Sequence, residues 1–340
     1  MSTPKAYVVQ EPFGLDALTL VERPAPEPGP GQVLVQMHAV SLNYRDLLVI
    51  RGVWRPKEPR IPGSDGVGEV VATGEGVTRV QSGDRVAGIF YPGWIDGPAA
   101  PEKLQAPSLG GTGADGTLAE LAVFDEEAVV KVPEHLSDEE AATLPLAGVT
   151  AWHAVVTRGG VKEGDTVLVQ GTGGVSLFAL QFARMMGASV IVTSSSEEKL
   201  RRALRLGAIH GINYKDTPAW DELALELTGN RGVDHIVEVV GAENLTRSLN
   251  AVRMSGTISV IGLLGGTSAQ IETFGFVEKN VRLNGILVGS REMFEAMNQA
   301  IAEHRLKPVI DRVFGFDEVP AAVRYLEAGA HFGKVCVRMN

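Results

Sequence analysis

The chain has 340 residues, 44% hydrophobic and 21% charged, which suits a folded chain of two domains and excludes a disordered one. Its 31 Lys and Arg against 41 Asp and Glu leave a net charge of -10, and no basic run offsets it, so a nucleic-acid partner is excluded on charge. Cys336 is the single cysteine, which excludes an internal disulfide and any multi-Cys metal site.

"MSTPKAYVVQ" has no basic segment followed by an apolar one, and no apolar run reaches the roughly 18 residues that span a bilayer. A cytoplasmic location without a membrane partner is expected.

The first 125 residues hold short β-like runs bounded by Gly and Pro: "AYVV" (6–9), "QVLVQMHAV" (32–40), "GEVVATG" (68–74) and "DRVAGIF" (84–90). They predict an irregular, mostly antiparallel β domain. Residues 91–116 form a long Gly/Pro-rich loop, and loops of that length are often functional. Ser137 followed by Glu140 marks a helix start. Strands and helices then alternate from "DTVLVQ" (165–170) to "VRLNGILVGS" (281–290), and the strands are continuous apolar runs. That pattern predicts a doubly wound α/β domain on a parallel sheet. The tail from about 304 returns to β-like pieces and is expected to rejoin the first domain.

"VLVQGTGGVSLFALQFA" (167–183) is the most specific motif. An apolar strand precedes its glycines and an amphipathic helix follows, the context of a dinucleotide fingerprint. Gly171 permits the tight turn, and Gly173 lets the backbone approach a pyrophosphate. Thr172 lies between them, and the amides of Gly174 and Val175 open the helix toward the phosphates. Ser176 stands where the third glycine belongs, which predicts a small backbone adjustment.

An NAD site places Asp or Glu at the end of the second strand, about 20 residues on, to accept from the ribose 2′-OH. Here Ser194, Ser195 and Ser196 stand there, followed by Lys199. Hydroxyls and a cation suit a 2′-phosphate that a carboxylate would repel, and Tyr214 is placed to close the same pocket. NADP(H) is the expected cofactor, and a simple N-cap cluster is the compatible alternative for the serines.

Taken in order, "GEVVATGEGVTRVQSGDRV" (68–86), "EAATLPLAGVTAWHAVV" (140–156), the glycine motif, "GVDHIVEVVG" (232–241) and "HFGKVCV" (331–337) resemble the medium-chain dehydrogenase/reductase superfamily over essentially the whole chain. The resemblance implies a Rossmann nucleotide domain, residues 128–295, and a GroES-like catalytic domain, residues 1–127 and 296–340. Zinc members of the superfamily carry metal ligands where this chain has Asn43, Ser64 and Leu146, and none of these is a typical zinc ligand. Asp65 alone cannot hold the ion, and residues 91–117 lack the cysteines of a structural zinc lobe. No metal is expected.

"SLNYRDLLVIRG" (41–52) instead resembles the N-x-x-D loop of quinone-oxidoreductase-like members, in Asn43 and Asp46. The resemblance implies that this loop faces the nicotinamide and that Thr150 lies near its ribose. It also implies that Gly241, Gly262 and Leu263 line the cofactor groove, and that Leu287 and Val288 border the carboxamide. Asn43 and Tyr44 are the candidate donors to a developing enolate or phenolate oxygen. Asp46 is expected to cap the following helix or pair with Arg51, and Arg45 to be a surface or interface charge. For Trp54, Tyr91 and Trp94, packing is expected over a role as substrate wall. His38, His153 and His331 are expected to be structural, and Cys336 to be buried. "VRLNGILVGS" resembles the edge strand through which family members dimerise, so a homodimer is expected.

These features predict an NADPH-dependent, zinc-independent reductase of quinones or α,β-unsaturated carbonyls. The alternatives are an alcohol dehydrogenase acting without zinc or with atypical ligands, and an NADPH-binding sensing or structural protein.

Overall fold

A computed structural model describes residues 3–242, 244–262 and 264–339, and the chain forms two compact units, Met1–Val149 with Gly289–Asn340, and Thr150–Val288. The first unit opens with β1 (Lys5–Val8), β2 (Thr19–Glu22) and β3 (Gln32–Leu42). Helix α1 (Tyr44–Ile50) follows, then β4 (Gly66–Thr73), β5 (Arg85–Gly88), β6 (Leu121–Asp125) and β7 (Val129–Lys131). In β3, Val33, Val35 and Met37 are buried and alternate with less buried neighbours, the period-2 pattern of an antiparallel strand with one covered face. Residues 91–116 hold a single short 3₁₀ turn, Pro101–Leu104, and are otherwise irregular. Helix α2 (Asp138–Ala142) carries the capping box expected from its sequence: Glu140 N–H donates to Ser137 Oγ at 3.2 Å, and Ser137 N–H donates to the Glu140 carboxylate at 2.9 Å. Helix α3 (Val149–Trp152) lies between two π-helical turns.

The second unit alternates strictly. It holds β8 (Thr166–Gln170), α4 (Gly174–Met185), β9 (Ser189–Ser194), α5 (Glu197–Arg205), β10 (His210–Asn213), α6 (Trp220–Leu227), β11 (Val233–Glu238), α7 (Asn244–Ala251), β12 (Val252–Val260), α8 (Phe274–Glu278) and β13 (Arg282–Gly285). All pairings are parallel, in the order β10-β9-β8-β11-β12-β13. Counted within the unit, this is the 3-2-1-4-5-6 order of a doubly wound nucleotide-binding sheet, with its switch point between β8 and β11. Every residue of β11 is buried, as a central parallel strand requires.

The chain returns to the first unit through α9 (Arg291–Glu303), β14 (Ile310–Gly315), α10 (Val319–Glu327) and β15 (Lys334–Arg338). Strand β15 pairs antiparallel with β3 and parallel with β14. The tail thus joins the first unit's sheet, and two helices that the sequence reading left unassigned, α9 and α10, flank it. Residues 128–149 also belong to the first unit, because β7 pairs with β5 and α2 packs on β3 and β4. Of the strand read at 281–290, only Arg282–Gly285 pairs. Among the described residues, no helix is long and apolar enough to cross a membrane.

Candidate functional site

In the second unit, β8 runs into a turn at Gly171, whose φ of 73° favours glycine. A Cβ added at Gly173 would meet nothing within 4 Å, so open space lies before the first amides of α4, those of Gly174 and Val175. Ser176 is buried, and its hydroxyl donates to the Gln170 carbonyl at 2.7 Å. The residue at the third-glycine position therefore bonds helix to strand through its side chain.

Ser194 ends β9 and is buried; its Oγ accepts from Ser196 N–H at 3.4 Å. Ser196 caps α5, accepting from Lys199 N–H at 3.4 Å, so the N-cap role is present. Tyr214, half-exposed just beyond β10, donates its backbone N–H to the Ser194 carbonyl at 3.1 Å. Ser194 ends β9, Ser195 and Tyr214 follow the ends of the paired strands β9 and β10, and Lys199 lies in the first turn of α5. Thr150 is buried, and its hydroxyl oxygen has no hydrogen-bond partner. Thr172 is buried in the glycine turn.

Gly241 has φ 74°, and a Cβ there would press on the Gly262 carbonyl at 2.7 Å. A Cβ at Gly262 would overlap the Val239 carbonyl. Leu263 lies outside the described residues. Leu287 is half-exposed, and Val288 is held at a φ of 28°, a conformation that strains a β-branched residue. The buried His153 donates Nδ1–H to the Val288 carbonyl at 2.9 Å; burial holds its pKa below the usual histidine range, so the ring is a neutral structural donor.

In the first unit, "SLNYRD" closes around Asn43. Its backbone N–H donates to Asp46 Oδ2 at 2.8 Å, so Asp46 caps α1. Arg51 pairs with Glu327 instead. Asn43 Nδ2 donates to Asp65 Oδ2 at 2.8 Å and Ser64 Oγ at 3.1 Å, and lies 3.4 Å from the Ser41 carbonyl. Its Oδ1 accepts from Lys334 Nζ at 2.5 Å. Lys334 is buried on β15, donates to the Leu42 carbonyl at 2.9 Å and lies 3.5 Å from the Asp65 carboxylate. Burial pushes the Asp65 carboxyl up to about 6, against the lowering effects of Lys334, Asn43 and the Leu146 amide. The positions read as replaced zinc ligands, Asn43, Ser64 and Leu146, therefore meet around Asp65. Their donor set, an amide, a hydroxyl and an alkyl chain beside a buried ammonium, does not fit zinc. Among the described residues, no group of three or more His, Cys, Asp or Glu side chains is arranged to hold a metal ion.

Tyr44, the first residue of α1, is 45% exposed. Arg45 corrects the reading of a surface charge: its side chain is 11% exposed and lies 5.1 Å from the Phe90 ring and 5.7 Å from the Trp54 ring. It also donates to the Leu109 and Gly110 carbonyls at 3.2 and 3.0 Å, tying α1 to the long loop. Trp94 is buried with its indole N–H on the Gly97 carbonyl at 2.9 Å, a packing role. Burial pushes the Cys336 thiol up to about 12, so it stays protonated. Sequence reasoning missed Lys334 and Glu238. The available signal was a charged residue inside an apolar strand run, in "GKVCV" and "HIVEVV", which burial obliges to find partners.

The family profile described as "Zinc-binding dehydrogenase" matches residues 174–303, and that described as "Alcohol dehydrogenase GroES-like domain" matches residues 29–134. A zinc-type alcohol dehydrogenase-like protein of Schizosaccharomyces pombe is 42% identical, over 98% of this chain and 99% of that one. An acryloyl-coenzyme A reductase of Metallosphaera sedula is 31% identical, over 91% of this chain and 93% of that one. A crystal structure of an NAD-dependent alcohol dehydrogenase superposes with a TM-score of 0.90 at 34% identity, over 99% of this chain and 100% of that one. With a GroES-like β unit and a doubly wound parallel sheet, the chain belongs to the medium-chain dehydrogenase/reductase superfamily of oxidoreductases.

Proposed function

We propose that the protein is an NADPH-dependent, zinc-independent reductase that delivers hydride to a quinone or an α,β-unsaturated carbonyl. The observation that carries this reading is the cluster of Asn43, Ser64, Asp65 and Lys334, in which Asn43 and the Lys334 ammonium occupy one Asp65 carboxylate oxygen and no soft or imidazole donor is offered to a metal. Zinc supplies several kcal/mol of polarisation to an alcohol or carbonyl oxygen. Acceptors that take hydride without that help suit a site lacking it. The acryloyl-coenzyme A reductase among the relatives is named for a substrate of this kind.

NADPH supplies the hydride. The first amides of α4 bind the pyrophosphate, and the space before Gly173 admits it. Thr150, with its buried unpartnered hydroxyl, binds the nicotinamide ribose. Ser194 and Ser195 donate to the 2′-phosphate, and Lys199 supplies charge beside it. Gly241 and Gly262 line the groove, and Leu287 and Val288 border the carboxamide. Asn43, its amide hydrogens already engaged, shapes the loop; the Tyr44 hydroxyl is the candidate donor to the developing oxyanion.

The exposed β13 at the end of the sheet pairs with a second copy, giving a homodimer in solution; light scattering checks this. The second reading is an alcohol dehydrogenase acting without zinc or with atypical ligands; the 34%-identical neighbour, named as an NAD-dependent alcohol dehydrogenase, supports its alcohol dehydrogenase part. One experiment separates them: oxidation of NADPH and NADH against quinones, enals and enones, with alcohol oxidation and zinc content measured on the same sample. Turnover of quinones or enones by zinc-free protein supports the proposal. Alcohol oxidation alone, with no turnover of quinones, enals or enones, overturns it, and stoichiometric zinc overturns its zinc-free part.

A further inference from the structure

Glu238 ends β11 and is fully buried, yet it belongs to no feature of the reading above. Its Oε1 accepts from the backbone N–H groups of Val240 at 2.9 Å and Gly241 at 3.0 Å. Its Oε2 accepts from Gln170 Nε2 at 2.7 Å and from the Ser248 hydroxyl. Asn244 Nδ2 reaches both oxygens, at 3.2 and 3.0 Å. A buried carboxylate is tolerable when donors surround it, and here the donors come from three elements.

Those elements matter because of where they end. Gln170 is the last residue of β8 and leads directly into Gly171; Val240 and Gly241 form the turn that follows β11. Strands β8 and β11 are neighbours at the switch point of the sheet, outside whose carboxyl ends ligands of doubly wound sheets bind. Gln170 Nε2 also donates to Ser248 Oγ at 2.9 Å, whereas its own Oε1 has no partner. The Glu238–Ser248 side alone therefore orients that amide. The Gln170 carbonyl in turn takes the Ser176 hydroxyl at the start of α4. The Glu238 carboxylate thus bonds both turns into one rigid floor.

There is an electrostatic consequence. Glu238 uses up the amides of Val240 and Gly241, while the first amides of α4 stay free of a carboxylate. Of the two turns, the one at Gly171–Gly173 leads into helix amides that no carboxylate occupies, so it is the better placed to offer amides to an anion. The other already has two of its amides on the Glu238 carboxylate and is less suited to a second negative charge.

We propose that Glu238 is a positioning residue for the dinucleotide: it holds the 171–175 and 239–242 turns at one spacing and reserves the pyrophosphate for the first. This rests on the cofactor reading above. It is tested by titrating NADPH and NADH into purified full-length protein, following nicotinamide fluorescence, with Tm recorded for each variant. Glu238→Gln turns a donor toward Gln170, Asn244 and Ser248. It is expected to raise the dinucleotide Kd 10- to 100-fold at temperatures far below its Tm, with kcat at saturating cofactor within threefold of wild type.

The exchanged pair Gln170→Glu with Glu238→Gln restores one acceptor for the two amides and one carboxylate across the gap, and is expected to return Kd to within threefold of wild type. Failure of the wild type to bind either dinucleotide brings down the cofactor reading and this inference with it. Wild-type binding with an unchanged Kd in Glu238→Gln, or with only its Tm lowered, overturns this inference alone. If Glu238→Gln does not fold, the exchanged pair decides: wild-type-like Kd supports the inference, and a raised Kd or a failure to fold overturns it.

Discussion

The ammonium of Lys334 lies 2.5 Å from Asn43 Oδ1 and 3.5 Å from the Asp65 carboxylate, and all three residues are buried. The last strand of the chain thus supplies the counter-charge to a loop some 290 residues earlier. Lys334→Met leaves Asp65 as an uncompensated buried carboxylate and is expected to cost about 3–5 kcal/mol. Urea unfolding at pH 7 measures it; a loss under about 1 kcal/mol would mean that the pair contributes little.

Asp65 also sets a pH dependence. Its folded-state pKa, about 6, lies above its unfolded value of 3.8, so the folded state holds the proton more tightly between these limits. Stability is therefore lost as pH rises through that window, by up to about 3 kcal/mol from this group alone. Unfolding free energies of wild type minus Asp65→Asn, taken from pH 4 to 7, isolate the effect. A flat difference would contradict the buried, weakly neutralised carboxyl.

His235 acts in the opposite direction. It is fully buried, neither ring nitrogen has a partner, and burial lowers its pKa from 6.5 to about 4. The unfolded chain binds its proton first, so stability is lost as pH falls from 6.5 toward 4, by about 3 kcal/mol. His235→Leu should remove that slope and leave stability at pH 7 equal or higher, because two unsatisfied polar atoms disappear. Thermal scans at pH 5 and 7 of both proteins check the prediction.

Asn43 and Tyr44 should separate cleanly. Asn43→Ala removes the side-chain contacts to Ser41, Ser64, Asp65 and Lys334 but keeps the backbone N–H on Asp46, and the expected loss of stability is about 2–4 kcal/mol. Tyr44→Phe removes one hydroxyl from a half-exposed residue and should leave Tm within a degree or two. If Tyr44 donates to the developing oxyanion, kcat falls about 10²-fold with NADPH affinity unchanged. Equal kcat in Tyr44→Phe removes it from the mechanism.

Ser194→Asp puts a carboxylate at the end of β9. It is expected to weaken NADPH about tenfold or more relative to NADH, because an aspartate repels a 2′-phosphate and accepts from a 2′-hydroxyl. The ratio of the two kcat/KM values is the readout, and an unmoved ratio would refute the assignment of this pocket.

The local chemistry was legible in the amino-acid order. Periodicity separates the half-buried strands of the first unit from the continuous apolar runs of the second, since one kind of strand has one covered face and the other has two. The glycine turn is legible as well, because Gly171 at positive φ and an open Gly173 are properties of a few adjacent residues. A helix cap such as Ser137–Glu140 is likewise a short-range affair.

Only the tertiary structure decided how charge was matched. That Asp46 caps α1 is local; that Asn43 answers to Lys334, and Glu238 to Gln170, Asn244 and Ser248, is not. A buried charge announces from sequence that a partner must exist, because desolvation is too costly otherwise, but the pairing of β15 with β3 and of β8 with β11 determines which partner it meets. Arg45 shows the same limit. Its sequence neighbours are polar and suggest a surface, whereas the fold encloses it between Trp54 and Phe90. Contacts of long sequence separation arise from sheet order and register, which no single stretch of the chain encodes by itself.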